Sequence, residues 1–348
     1  MTDYKNLKLI ATSSPHIREK VDTRSIMLDV IFALIPALII AVWNWGVRAI
    51  ISVAVSAAGC VLFEWLYRKL LHKDCTVGDL SAVVNGMLIA YVCPVTLPYW
   101  VLLIGDFFAI FVVKQLYGGI GQNFLNPALA GRAAMLASYA GLMSKWAAPL
   151  TKLPVGSAAD AVTAATPLAM MKEGSLDAVK EVYSLGDMFL GRIGGSIGEI
   201  STLMILLGGI YLIVSKVITW HIPVAYIGTV AVLTFIFPRG NEPMQWMLYN
   251  ILGGGLMLGA FFMATDYASS PVTKKGQLIF GFGCGVLTVM IRYFGSYPEG
   301  VCYSILVMNC TTWLLDKYIK PVRFGTDPAE EKKAKKAAKK AAKEAAKQ

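Results

Sequence analysis

Charged residues are scarce in this sequence, and their scarcity argues against a soluble protein. Only 16% of the 348 residues are Asp, Glu, Lys or Arg, whereas 56% are apolar. A soluble domain of this length could not bury so much apolar surface in one core. The sequence therefore predicts an all-α integral membrane protein, because helices satisfy their own backbone hydrogen bonds in lipid.

Clusters of metal-binding residues are also lacking. The six cysteines and three histidines form no Cys-x-x-Cys or Cys/His cluster, so we expect no metal site made by this chain alone. Three glycine-rich stretches lack the preceding strand and the ribose-binding acid of a dinucleotide site. For these stretches, at residues 118–121, 253–255 and 281–285, we expect close helix packing and no NAD binding. The first residues lack the pattern of a cleaved signal peptide.

The positive net charge comes mostly from the end of the chain. The sequence carries +10, but residues 317–347 hold eleven Lys or Arg and only four acids. A charge confined to a tail does not indicate nucleic-acid binding. We interpret residues 321–348 as a basic cytoplasmic tail that is solvated or attracted to anionic lipid headgroups.

Apolar stretches long enough to cross a hydrocarbon core of about 30 Å occur about ten times. Five precede residue 143 and five follow residue 198, so residues 26–142 and 199–320 form two five-helix halves around a loop at 143–198. The predicted spans are 26–45, 47–70, 80–95, 99–116, 124–142, 199–215, 218–237, 246–265, 277–292 and 301–318.

Positive residues set the predicted orientation. Lysines and arginines concentrate in residues 1–25 and in alternate connections, which places both termini in the cytoplasm and residues 143–198 outside. Five crossings reverse the second half relative to the first, so the halves are predicted to form inverted repeats. This arrangement is the layout of urea-transporter-like proteins.

A short helix is predicted in the outer loop. Thr166 is suited to the N-cap, Pro167 to the first helical position, and Gly174 to the position beyond the end. On this pattern alone, Thr166 simply caps its helix. The alternative is that a phosphate attached to Thr166 lies at the positive end of the helix.

The same stretch resembles a flavin attachment motif, Asp-x-x-Ser/Thr-Gly-Ala-Thr. The motif occurs in the family that contains the RnfD protein of the Rnf complex and the NqrB protein of the sodium-translocating NADH:quinone oxidoreductase. Asp160, Thr163 and Ala165 match it, and Thr166 maps onto the threonine that carries FMN through a phosphoester. Ala164 stands where the family usually has glycine, and its methyl group could hinder the flavin transferase that installs the FMN.

Three longer blocks are similar to the same family, at residues 114–132, 259–273 and 297–309. The chain length and short N-terminal region favour the Rnf protein. The resemblance implies an electron-carrier subunit, not catalytic alone, of a prokaryotic cell-membrane complex that couples ferredoxin and NAD to Na+ or H+ movement. Its implied partners are the Rnf subunits A, B, C, E and G and the flavin transferase. The family also allows a second, non-covalent flavin such as riboflavin.

Ionisable residues within predicted spans carry a high free-energy cost unless they face protein, water or a partner. Asp106, Asp266 and Glu299 are candidates for an ion path or a cofactor environment. Asp106 could instead make an interhelical hydrogen bond, and Asp266 could end a helix. Lys114 and Arg292 are predicted to anchor span ends.

Two further hypotheses remain open at this point. An inverted five-plus-five layout also suits a channel or carrier for small solutes, without flavin. The other hypothesis is a scaffold protein that has lost its flavin, since Ala164 departs from the attachment motif. Loss of a flavin on substitution of Thr166 distinguishes both from the redox subunit.

Overall fold

The computed structural model describes residues 21–156, 163–173 and 176–320, which form helices and two isolated β-bridges. The helices are α1 Thr23–Trp45, α2 Val47–Leu70, α3 Ser81–Tyr91, α4 Tyr99–Phe107, α5 Pro127–Ser138, α6 Ala140–Met143, α7 Pro167–Glu173, α8 Leu176–Val182, α9 Leu185–Leu190, α10 Thr202–Val214, α11 His221–Ile236, α12 Pro243–Leu252, α13 Leu256–Leu258, α14 Lys274–Phe294 and α15 Val301–Tyr318. Two helices continue as π-helices, α4 through Phe108–Gln115 and α13 through Gly259–Met263.

The apolar helices identify an integral membrane protein. Of the helices in the described residues, α1, α2 and α14 are each long and apolar enough to cross a membrane. The pair formed by α12 and Leu256–Met263 is bent by 63°, and α3, α10 and α11 are apolar but shorter. Each predicted span contains at least one helix. A count of ten crossings stays a prediction.

Local sequence explains where several helices begin. Asp22 and Ser25 form a reciprocal capping box at the start of α1. The side chain of Asn126 accepts hydrogen bonds from the backbone N–H groups of Ala128 and Leu129, and Pro127 takes the first position of α5. Gly46, with φ of 76°, joins α1 to α2 in a single-residue turn that favours glycine.

The helices pack in the same order in both halves of the chain. In the first half α2 packs on α3 and α4, and α4 packs on α5. In the second half α11 packs on α12 and α14, and α14 packs on α15. The halves meet where α1 contacts α10 and where α5 contacts α15. Their opposite orientation in the membrane stays a prediction.

Glycine serves two purposes, of which the sequence predicted one. Gly281 and Gly285 allow α14 to lie close to α11, as expected: a Cβ on Gly281 would lie 2.8 Å from the carbonyl oxygen of Ile222. The expectation of helix packing was wrong for residues 118–121, where Gly118, Gly119 and Gly121 all have positive φ in a turn. Residues 253–255 separate α12 from α13, and α7 packs closely against them: a Cβ on Gly254 would lie 2.5 Å from Leu168 Cδ1.

Lys114 lies in the last turn of its helical span, as predicted, and is buried there. Its Nζ is 2.7 Å from Glu64 Oε2, and the two side chains are 2% and 1% exposed. The same Nζ donates to Ser81 Oγ at 2.6 Å, and Thr76 Oγ1 donates to Glu64 Oε1 at 2.6 Å. Lys114 and Glu64 thus connect α2, α3 and the π-helix Phe108–Gln115. Neither charge can remain unpaired in the interior, so the pair holds these helices together.

Replacement of Gly86 by Ala should destabilise the protein. A Cβ at this position in α3 would lie 2.5 Å from the Ala57 Cα of α2, so the two helices must separate. We expect a loss of about 1–3 kcal/mol of unfolding free energy, measured by thermal unfolding in detergent. Gly228→Ala in α11 is the matched control, since no atom lies within 4 Å of its Cβ position. Equal unfolding temperatures for the two variants would contradict this account of the α2–α3 contact.

Candidate functional site

Buried polar side chains at the ends of α1 and α2 hold the loop that follows the first half. Asn44 Nδ2 donates to the Gly191 carbonyl at 2.8 Å, and Trp45 Nε1 donates to the Ala148 carbonyl at 3.2 Å. Arg48, only 2% exposed, donates to the carbonyls of Val95, Pro154 and Val155 at 2.8–3.1 Å. The loop is therefore fixed to the helices by side chains that satisfy its backbone carbonyls.

Thr166 lies at the start of α7, as the sequence predicted. Its Oγ1 accepts a hydrogen bond from the Ala169 N–H at 3.3 Å, and Pro167 is the first helical residue. Thr166 is half-buried, whereas Thr163 and Ala165 are exposed. Asp160, the first residue of the motif, lies outside the described residues. The hydroxyl of Thr166 thus lies between the protein interior and the surface.

The backbone before Thr166 is tied to the loop beside it. Thr163 forms an antiparallel bridge with Ala147, and the Ala164 N–H donates to the Trp146 carbonyl at 2.9 Å. The methyl group of Ala164 faces Gly194, where a Cβ would lie 3.3 Å from it. Ala164 stands where the family usually has glycine, and Gly194 leaves room for its additional methyl group.

Two tyrosines link the same segment to α12. Tyr183 Oη donates to the Ala165 carbonyl at 3.2 Å, and Tyr249 Oη of α12 donates to the Tyr183 carbonyl at 2.7 Å. Burial raises the pKa of the Tyr183 hydroxyl above its ordinary value. Tyr183 consequently remains a hydrogen-bond donor to the motif.

A small cavity of about 40 Å³ lies beside Thr166. Two carboxylate residues, Glu199 and Glu299, reach it from the second half of the chain. The other lining residues are Trp146, Pro167, Leu168, Ile193, Gly194, Gly195, Ser196, Ile200, Gly254 and Pro298. The structure therefore brings Glu299, a candidate from the sequence, next to the motif threonine.

Glu299 forms a buried ion pair between the two halves. Arg132 of α5 lies 2.5 Å from Glu299 Oε2, and the Gly255 N–H donates to Glu299 Oε1 at 2.5 Å. Burial raises the pKa of Glu299, but the charge and hydrogen bond of Arg132, the Gly255 N–H and the charge of Arg292 together lower it, so the net pKa is below its ordinary value. The carboxylate is ionised and holds the start of α13 at the break after α12.

Glu199 lies next to this pair and is only 7% exposed. Its Oε2 accepts a hydrogen bond from Ser196 Oγ at 2.7 Å. A Cβ on Gly255 would lie 2.4 Å from Glu199 Oε1 and 2.6 Å from Glu299 Oε1. Gly255 thus admits both carboxyl groups to one small space, which a larger residue would fill.

Arg292 completes the cluster from α14. Its Nη1 donates to the Asn250 carbonyl at 2.5 Å, and its Nη2 lies 3.4 Å from the Gly253 carbonyl. These carbonyls belong to the end of α12 and lack helical donors of their own. Arg292 lies in the last turn of α14, at the span end where the sequence predicted it. It is buried there and satisfies the free carbonyls at the end of α12.

A much larger cavity, of about 320 Å³, lies at the opposite end of α1. Its wall combines polar residues with apolar ones from both halves. The polar residues include Lys114, Asn123, Asn126, Thr265 and Asp266, and the apolar ones include Val30, Leu88 and Phe262. Asp266 Oδ2 accepts from Ser269 Oγ at 2.9 Å just beyond the end of the helix. Asp266 therefore both follows a helix end and faces a cavity.

Asp106 is separate from these groups. It is fully buried in α4, and its Oδ1 accepts a hydrogen bond from Ser56 Oγ of α2 at 2.6 Å. A Cβ on Gly59 of α2 would lie 3.0 Å from Asp106 Oδ2, so glycine at that position lets the two helices approach around the carboxyl group. The contact with Ser56 is the interhelical hydrogen bond that was one of two interpretations from the sequence.

Glu199 was not predicted as a site residue. The available signal was a glutamate three residues before the apolar helix α10, which begins at Thr202. Because Glu199 and Glu299 are far apart in the sequence, their proximity in the fold could not be predicted. In the described part of the chain, no group of three or more His, Cys, Asp or Glu side chains is placed to hold a metal ion.

Comparisons with known proteins agree with the sequence resemblance. The model of the NQR2, RnfD, RnfE family matches residues 10–325. The chain is 48% identical, over 92% of its length and 96% of the relative, to the D subunit of the Na+-translocating ferredoxin:NAD+ oxidoreductase complex of Acetobacterium woodii. It is 43% identical to the proton-translocating counterpart of Clostridium ljungdahlii, over 92% of this chain and 97% of that one. The D subunit of an ion-translocating oxidoreductase complex of Alcanivorax borkumensis is 34% identical, with coverage of 92% and 97%.

Removal of one partner from the buried ion pair should destabilise the protein strongly. In the Arg132→Met variant Glu299 stays buried without its counter-ion, and we expect a loss of about 3–5 kcal/mol. Arg132→Met combined with Glu299→Gln should recover part of that loss, measured by thermal unfolding in detergent. Lys180→Ala, which breaks the exposed pair with Glu242, is the control and should change little. A double variant no more stable than Arg132→Met would show that the charges do not interact.

Proposed function

Because the chain belongs to the NQR2, RnfD, RnfE family, we propose that it is the electron-carrier subunit of an Rnf-type complex, with FMN bound covalently to Thr166. One observation carries this proposal: the threonine that matches the attachment motif caps a helix at a half-buried position with exposed neighbours. A transferase needs access to the hydroxyl, and a redox carrier needs a fixed attachment point. The position of Thr166 provides both.

The surroundings of Thr166 fit a phosphoester-linked flavin. The adjacent cavity of about 40 Å³ is far too small for an isoalloxazine ring. The ring would therefore lie on the exposed side, next to Thr163 and Ala165. The flavin supplies the electron chemistry, while the protein supplies attachment, orientation and electrostatics.

Ala164 does not exclude attachment. Its methyl group packs towards Gly194 on the inner side, and its backbone is held by Trp146. The extra carbon therefore points away from the exposed side on which Thr163 and Ala165 lie. This supports the flavin-bearing subunit over a scaffold that has lost its flavin.

The large cavity is the proposed site of the second, non-covalent flavin. Its volume of about 320 Å³ falls in the range of roughly 300–1,000 Å³ that small-molecule sites occupy. The wall offers apolar surface to a ring system and polar groups, from Lys114, Asn123 and Asp266, to its edges. The two flavins would lie at opposite ends of α1, whose 23 residues span roughly 34 Å.

Membership in a complex supplies the remaining parts of the proposal. The relatives are named as subunits of ion-translocating oxidoreductase complexes. We place this chain with the Rnf subunits A, B, C, E and G in the cell membrane, with both termini in the cytoplasm and Thr166 outside. The complex couples electron transfer between ferredoxin and NAD to movement of Na+ or H+. The shared packing order supports two inverted five-helix repeats.

Substitution of Thr166 by Ala should abolish covalent flavin. The wild-type chain, produced with its flavin transferase, should fluoresce under ultraviolet light in a denaturing gel, and the Thr166→Ala band should be dark. Thr151→Ala, another threonine of the same loop but outside the motif, should fluoresce like the wild type. A dark wild-type band of full length would favour the small-solute channel or the flavin-free scaffold.

Filling the large cavity should remove only the non-covalent flavin. Val30→Trp places a bulky ring into the cavity from α1. Acid extraction of the purified complex should then release less than about a tenth of the wild-type free flavin, a drop that corresponds to about 1.4 kcal/mol or more of lost affinity. The covalent fluorescence should be unchanged. Val232→Trp, on the exposed face of α11, is the control. Equal release from all three proteins would place the second flavin elsewhere.

A further inference from the structure

A groove of about 420 Å³ runs between α1 and α10 on the apolar outer surface of the protein. Phe32, Ala33 and Pro36 form one wall, and Leu207, Gly208 and Tyr211 form the other. The floor is shallow because the two helices nearly touch. A Cβ on Gly208 would lie only 2.1 Å from the Ala33 carbonyl oxygen.

Asp29 lies at one end of this groove. Tyr211 Oη donates to Asp29 Oδ1 at 2.9 Å, and Tyr211 is 40% exposed. Among the described residues no lysine or arginine pairs with Asp29. Asp29 lies three residues inside the predicted span 26–45, or about 4.5 Å along the axis at about 1.5 Å per residue. A carboxylate at that depth is costly unless a partner supplies a positive charge.

Pro36 leaves a backbone carbonyl without its helical donor further along the same face. Proline has no N–H, so the Phe32 carbonyl lacks its helical donor, and both residues line the groove. An unsatisfied carbonyl in hydrocarbon costs several kcal/mol. Positions 29, 32, 33 and 36 share one face of α1, since residues three and four apart are neighbours on a helix. An acidic side chain and a backbone carbonyl without its helical donor therefore lie along the same face of α1, beside the groove.

We propose that this groove binds a transmembrane helix of another subunit, with a basic side chain opposite Asp29 and a hydrogen-bond donor opposite the Phe32 carbonyl. Lipid acyl chains match the apolar walls but satisfy neither polar group. A headgroup amine reaches the end at Asp29 but not the deeper carbonyl. The inference rests on the proposed membership in a multi-subunit complex.

Photo-cross-linking in the assembled complex tests the groove. A benzophenone amino acid replaces Phe32 or Leu207 in the groove, and Val232 of α11 or Val307 of α15 as exposed controls. Irradiation of membranes that contain all the subunits should give protein adducts from the two groove positions. The control positions lie on other exposed faces, away from the proposed partner helix. They should give at least about tenfold less of those adducts.

The Asp29→Asn variant removes the negative charge of the side chain but keeps its shape. Asparagine can still accept from Tyr211, but it cannot pair with a cation, so the yield of groove adducts should fall about tenfold or more. Protein adducts at the groove that this variant leaves unchanged would overturn the basic partner. Lipid adducts alone, in a complex whose other subunits co-purify, would overturn the helix proposal and leave the proposed function intact. Absence of any co-purified subunit from the wild type would overturn both.

Discussion

The ion pair between Arg132 and Glu299 is the contact on which the candidate site depends. It joins α5 of the first half to the connection before α15 of the second, and water reaches little of it. A charge removed from water is tolerated only with a well-placed counter-charge, so the two halves cannot shift independently there. Glu299 also holds the Gly255 N–H, which fixes the break between α12 and α13. The small cavity beside Thr166 is bounded by that break.

The small cavity beside Thr166 and the large cavity lie at opposite ends of α1. Residues of the loop and of the second half line the small cavity, whereas residues of both halves give the large cavity a mixed apolar and polar wall. The large cavity thus lies where the two halves meet, which is where membrane proteins built from repeats commonly bind their ligands. The same junction leaves the groove between α1 and α10 on the outside. The contact surface between the halves thus borders both the large cavity and the groove.

Much of the fold could be predicted from the sequence, because long apolar runs and caps are local signals. The capped helix Pro167–Glu173 was confirmed, and each predicted span contains a helix. What the sequence missed depends on contacts between distant residues. Glu199 acquires a neighbour in Glu299 only through the fold, and Arg292 is buried because α12 ends beside it. Glycine runs are likewise ambiguous: residues 281–285 pack helices together, whereas residues 118–121 form a turn.

The proposed attachment of FMN to Thr166 can be tested by peptide mass spectrometry of the subunit from its natural complex. Trypsin should release residues 153–172 as one peptide, since cleavage follows Lys152 and Lys172. We expect this peptide to carry one FMN and its fragmentation to place the flavin on Thr166. A fully recovered peptide without flavin, or a flavin located on Thr163, would contradict the claim.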